Sequence, residues 1–263
     1  MKHLSILAIA AMLLVGCAHD TPQEPPSTEP SEVSLFDYAA VFEQDDRPAG
    51  DYEQYDLRKS RDVLNFTGVL PGMTVVELEA GGGIYTELFS RVVGLEGHVF
   101  MQNPPEFDAF LGDAVEERMD GRLINVTHIK TSFDDLEPVG DEQADIVTWF
   151  LGPHELWYIP DGAEAGALGN PEATFAEIAR VLKPGGYFIV IDHSAPAGSP
   201  PSTGNDTHRL DKGITIDMAL DAGMVLVDES FILANPEDDG TLLVFDPSIR
   251  RKTDRHILKF EKS

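Results

Sequence analysis

The sequence predicts an α/β chain, with a mostly parallel sheet covered by helices on both faces. Three observations carry that expectation. Apolar, β-branched runs alternate with segments whose apolar residues recur at helical spacing. Glycine or proline punctuates the junctions, and no internal repeat is present. Strand–helix alternation implies right-handed crossovers, so ligands should lie beyond the carboxyl ends of the strands.

Taken in order, Leu35–Phe42 reads as a short helix packed on a domain that begins near Ser34. Arg58–Phe66 is a helical lead-in stopped by Gly68 and the Pro71-Gly72 turn. The run from Thr74 ends in acidic residues and then Gly81-Gly82-Gly83, after which Tyr85, Leu88, Phe89, Val92 and Val93 keep helical spacing up to Gly94. Gly97–Asn103 is a second strand. Phe107, Phe110, Leu111, Ala114, Val115 and Met119 form one helical stripe closed by Gly121. Ile124–Ile129 and Ala144–Phe150 read as the third and fourth strands. In the following helix Asn170 can cap, Pro171 suits the first turn, and Phe175, Ile178, Val181 and Leu182 face the core. Lys183-Pro184-Gly185-Gly186 stops it, and Tyr187–Asp192 is a buried fifth strand. Asp211–Ala222 is a helix ended by Gly223, and Met224–Leu233 and Ile257–Phe260 complete the strands.

The strand, triple-glycine bend and helix between Thr74 and Gly94 are the focus. A plain strand-to-helix turn often carries one glycine. Three consecutive ones let the backbone approach a ligand while the helix N-terminus offers its free amides. A dinucleotide turn would need G-x-G-x-x-G, which is absent, so a glycine-loop oxidoreductase is disfavoured. Pro71-Gly72-Met73-Thr74-Val75-Val76-Glu77, followed by Gly81-Gly82-Gly83-Ile84-Tyr85-Thr86, resembles motif I of class I S-adenosylmethionine-dependent methyltransferases. It is closest to a subgroup of predicted bacterial, exported members. Glu77 falls on the motif's acid, Gly81 and Gly83 on its second and third glycines, and Glu79 where the first glycine is expected. The passage from the Pro171 helix through Leu182-Lys183-Pro184-Gly185-Gly186 is similar to the second half of the same core.

That resemblance implies a Rossmann-like fold of seven strands with a final antiparallel one, and S-adenosylmethionine as cofactor. It implies a cofactor-side set of Glu77, Glu79, Gly81, Gly82, Gly83, Tyr85, Asn103, Ser132 and Phe133. Asn103 or Gln102 stands where the family usually carries a ribose-binding acid, and Ser132 where it often carries an acid near the adenine. The implied activity is methyl transfer to a small-molecule acceptor. The alternative is an envelope protein that uses the fold only to bind a small ligand.

Acceptor-side candidates follow the fourth and fifth strands: Trp149, Phe150, His154, Glu155, Trp157, Tyr158, Asp192 and His193. His154 and His193 are the catalytic candidates, since histidine titrates near neutrality; His154 could equally be a loop histidine holding a structural hydrogen bond. Trp149, Trp157 and Tyr158 suit core or lid positions. Asp192, His193 and His208 could ligate a metal, but no helix-borne H-x-x-x-H pair supports them, and no metal is expected. Arg209 and Arg250-Arg251-Lys252 either pair with local carboxylates or meet an anionic substrate.

The N-terminus carries a different message. Met1-Lys2-His3, then an uncharged run from Leu4 to Leu14, reads as a signal peptide too short to span a bilayer. Leu14-Val15-Gly16-Cys17 resembles the bacterial lipobox, with Cys17, the sole cysteine, as the lipidated residue. Residues 1–17 are thus the expected signal, 18–33 a tether rich in proline, glutamate and threonine, and 34–263 the domain. Ala18 resembles the pattern that sorts to the outer membrane, so the expected location is its periplasmic face, with membrane contact through the anchor alone. The formal net charge of −27 argues against nucleic acid, because little would neutralise phosphates.

Overall fold

The computed structural model describes residues 36–263; the leader, Cys17 and the tether lie outside the described residues. Among those described, the helices are α1 (Ala39–Glu43), α2 (Gly50–Leu57), α3 (Ser60–Thr67), α4 (Ile84–Val93), α5 (Asp108–Leu111), α6 (Ala114–Met119), α7 (Pro171–Val181), α8 (Thr203–Thr207) and α9 (Lys212–Asp221). The strands are β1 (Thr74–Leu78), β2 (His98–Asn103), β3 (Val126–Lys130), β4 (Ala144–Phe150), β5 (Leu182–His193), β6 (Met224–Ser230) and β7 (Arg255–Lys262).

They form a seven-stranded sheet in the order β3-β2-β1-β4-β5-β7-β6. The pairs β2–β3, β1–β2, β1–β4 and β4–β5 are parallel, while β7 runs antiparallel to both β5 and β6. Strand order therefore reverses between β1 and β4, and the crevice of an open α/β sheet opens there. Both faces are buried, as parallel strands require. Val75, Ile146, Ile189 and Ile257 point toward α3 and α4, and Val76, Val147, Val190 and Leu258 toward α7 and α9. Adjacent residues thus serve opposite layers, the two-residue period of a strand.

Several predicted boundaries move, for local reasons. The lead-in helix is α3 and starts at Ser60 rather than Arg58, because Arg58 closes α2 and Lys59 takes a left-handed conformation (φ 47°) between the two. The stripe from Phe107 to Met119 also breaks: Gly112 (φ 52°) ends α5, and Phe110 is 84% exposed rather than in the core. β5 begins at Leu182, before the Pro184-Gly185 pair expected to precede it, since Ala144 pairs with Leu182 across an irregularity. The third strand starts at Val126, the sixth stops at Ser230, and the last extends over Arg255–Lys262. Asn170 caps α7 as its sequence suggests, its side chain accepting from the amide of Ala173.

Candidate active site

The glycine bend follows β1 directly. Glu79, standing where the resembled motif has glycine, adopts a glycine-like φ of 53°. Side-chain bonds hold it there: the Glu79 amide donates to Gln102 Oε1 (3.0 Å), and Trp149 Nε1 donates to Glu79 Oε2 (2.8 Å). Gly81 (φ 57°) and Gly83 (φ 78°) complete the turn. A Cβ at Gly83 would lie 2.9 Å from Arg118 Cδ, so glycine is required there for space as well as for backbone angle. A Cβ at Gly81 would meet nothing within 4 Å, and one at Gly82 only Ala114, at 3.8 Å; the outer side of the bend is open.

Asn103 is almost fully buried and is turned onto the bend, accepting from the Gly81 amide (2.8 Å) and donating to the Gly81 carbonyl (3.1 Å). Gln102 is spent similarly, donating to the Thr131 carbonyl (2.6 Å). The residues aligned with the ribose acid thus brace the glycine loop. Arg118 braces its other side: Nε donates to the Gly82 carbonyl (2.6 Å), and the guanidinium pairs with Asp51 (2.6 Å) and Glu87 (3.0 Å). Left over are the amides of Gly82, Ile84 and Tyr85, which find no acceptor among the described residues. They lie at the N-terminus of α4, where the helix dipole favours an anion.

Glu77 accepts from Thr86 Oγ1 (2.5 Å) beneath the bend. Burial pushes its carboxyl up to about 8, against the opposing pull of Thr86 and Arg118. Burial, with Glu155 nearby, also holds the Glu79 carboxyl well above the usual range. Tyr85 is buried against Phe150 and meets Ser60 Oγ (3.3 Å), and burial raises its phenol to about 12. Phe133 is fully buried, 4.7 Å ring to ring from Trp149. Ser132 is half-buried and donates to Asp134 Oδ1 (2.6 Å).

A second polar group gathers where β4 and β5 end. His154 Nδ1 lies 2.6 Å from Asp192 Oδ1, and the His154 amide donates to Asp192 Oδ2 (2.8 Å). His154 Nε2 faces Glu155 Oε1 (3.3 Å) and His208 Nδ1 (3.3 Å). Burial opposes charge on this imidazole, but Asp192 and Glu155 outweigh it and raise its affinity for a proton. Both ring nitrogens of His154 are thus engaged. His193 Nδ1 meets Thr253 Oγ1 (2.7 Å), its Nε2 has no partner among the described residues, and the ring faces a cavity. Burial and the neighbouring cations hold it well below the usual histidine range, hence neutral at pH 7.

That cavity, of about 260 Å³, is walled by Arg58, Arg250, Arg251, Arg255, His193 and Phe245, among others. The buried Arg255 Nε has no partner among the described residues. On a chain of net charge −27 such a gathering of guanidiniums is distinctive. Arg209 is not part of it: fully buried, it pairs with Asp238 (2.9 Å) and ties down the Ser194 and Leu242 carbonyls. Sequence reasoning missed Arg58, Arg255 and Arg118; their one signal was rarity, cations on an acidic chain.

Comparison with known proteins agrees with this architecture. Residues 76–190 match the family model described as a methyltransferase domain. The ubiquinone/menaquinone biosynthesis C-methyltransferase UbiE of Shewanella pealeana is 31% identical over 137 residues, covering 52% of this chain and 49% of that protein. The chain thus spans about half the length of the curated relatives it matches. A SAM-dependent methyltransferase from Aquifex aeolicus shares the fold with a TM-score of 0.55 at 20% identity, covering 87% of this chain and 100% of that one. The [4+2]-cyclase SpnF does so at 0.57 and 18%, covering 84% of each chain. These two likenesses concern fold alone, and the fold is that of class I methyltransferases.

S-adenosylmethionine is the cofactor this family match indicates, and the bend fits it. The unpartnered amides of Gly82, Ile84 and Tyr85 suit a carboxylate, and open space beside Gly81 and Gly82 admits a ligand against backbone.

Proposed function

We propose that the chain is an S-adenosylmethionine-dependent methyltransferase whose small acceptor carries an anionic group. The observation supporting it most is the glycine bend at the β1/β4 crevice, open on its outer side with free amides beneath. The cofactor supplies an electrophilic methyl group on a sulfonium; the protein supplies position, dryness and a proton acceptor. The free amides of the bend hold the cofactor's carboxylate, while Asn103 and Arg118 keep the bend in shape. His193, neutral and facing the arginine cavity, accepts the acceptor's proton at Nε2. Arg58 and Arg255 bind the acceptor's carboxylate or phosphate.

The anionic acceptor is argued from residues outside the matched segment. Arg58, Arg250, Arg251 and Arg255 all lie beyond residues 76–190, the segment that matches the family model. The test is release of the demethylated cofactor during incubation with a panel of anionic and neutral small molecules. Turnover confined to anionic acceptors, with Arg58→Gln raising KM and His193→Gln lowering kcat, supports the reading. Turnover only with neutral acceptors overturns it.

For location, the proposal is a lipid anchor at Cys17 on the periplasmic side of the envelope, supported by the apolar run and tetrapeptide before that cysteine. Labelling with radioactive palmitate should be lost in Cys17→Ala; equal labelling of both forms contradicts it.

A further inference from the structure

Where β4, β5 and α8 end, three atoms of metal-ligating type converge. His154 Nε2, Glu155 Oε1 and His208 Nδ1 form a nearly equilateral triangle with sides of 3.3, 3.3 and 3.4 Å. A tetrahedral ion with bonds of about 2.0–2.1 Å spaces its donors by about 3.3–3.4 Å. Asp192 is fully buried and is satisfied by the His154 and His193 amides and by His154 Nδ1. Nδ1 is taken up there, so Nε2 is the ring nitrogen turned toward Glu155 and His208. Meanwhile Glu155 Oε2 is buried with no partner among the described residues, although the residue is only 8% exposed.

We propose that His154 Nε2, Glu155 Oε1 and His208 Nδ1 bind a divalent transition-metal ion of the zinc type, with a coordination position left open. Two imidazoles and one carboxylate suit Zn²⁺, Co²⁺ or Fe²⁺, and three protein ligands leave room for a water or a substrate oxygen. Glu155 Oε2 is available as a further donor. The surroundings are those of a held ligand set. The Asp192 carboxylate fixes the orientation of the His154 ring, as outer-sphere carboxylates do for metal-bound histidine. Arg209, clamped by Asp238 and the Ser194 carbonyl, fixes the chain next to His208. The arginine cavity is close by: its walls include Phe245, 5.1 Å ring to ring from His208, and His193, 6.0 Å from His154. A metal there would hold an oxygen donor of the acceptor. The binding claim itself does not depend on methyl transfer.

The full chain, purified without a histidine tag and stripped by chelator, would be loaded with Co²⁺ or Zn²⁺. Expected are about one ion per chain by elemental analysis and the intense visible bands of four- or five-coordinate Co²⁺. His208→Ala and Glu155→Gln should lose those bands and at least tenfold in affinity, and Asp192→Asn should weaken binding by about 10–100-fold. His193→Gln, beside the set but outside it, should keep the bands, and circular dichroism checks that each variant is folded. Folded wild-type chain without stoichiometric metal, or a folded His208→Ala with unchanged Co²⁺ bands, would overturn the assignment and leave a cluster held by protons.

Discussion

The glycine bend and the histidine cluster lie at the same end of the sheet, and they are built in opposite ways. The bend is backbone, drawn from one continuous stretch and braced from outside by Asn103, Gln102 and Arg118. The cluster is side chain, gathered from the turn after β4, the end of β5 and the end of α8. A site made of backbone can be rebuilt around many side chains, which fits its agreement with the methyltransferase family. A site made of converging side chains is particular to the chain that carries it. Under the proposed function, the cofactor belongs with the first and the choice of acceptor with the second.

The largest expected effect falls on the brace. Arg118→Met leaves buried Asp51 without its cation and strips one from Glu87, which should lower unfolding free energy by about 3–5 kcal/mol in urea titrations. A loss below 1 kcal/mol would mean the bend does not depend on this pair. Gly83→Ala comes next. The left-handed φ and the crowding by Arg118 Cδ should cost about 1–3 kcal/mol, whereas Gly82→Ala, with open space, should change stability far less. Equal losses would show that the two glycines are not distinguished as described.

Asn103→Ala sharpens the comparison from the cofactor side. Losing a hydrogen-bonded brace worth about 1.4 kcal/mol should weaken S-adenosylmethionine binding about tenfold. Tighter binding would instead mean that Asn103 occupies an amide the cofactor needs. The smallest effect is electrostatic. The Glu77 carboxyl titrates near 8 in the fold, above an ordinary carboxylate. The native state therefore holds a proton that the unfolded chain has already released between about pH 4.3 and pH 8. Stability contributed by this group is present at low pH and lost as pH rises through that window. Glu77→Gln should flatten the decline, matching the parent near pH 4 and exceeding its melting temperature at pH 8. Parallel pH profiles would contradict the assignment.

What the sequence made legible follows the same division. The sheet was readable because β-branched runs, helical stripes and caps such as Asn170 are local, and the bend because three glycines are contiguous. Phe110 misled because periodicity marks an apolar residue without saying which layer it reaches. Gly112 ended one helix early and left Phe110 in solvent. His208 reaching His154 was not legible at all: 54 residues separate them, and only the folded path of the chain after β5 brings them together. Asp192 and His154 were both singled out as candidates, but their pairing depends on β4 lying beside β5.

Calorimetric titration of the folded domain with S-adenosylmethionine and its demethylated product is the most direct trial of the central claim. Binding by the parent, abolished in a folded Gly82→Asp whose new carboxylate would face the cofactor's own, is the predicted result. Absence of binding by the parent at millimolar cofactor, or undiminished binding by Gly82→Asp, would contradict it.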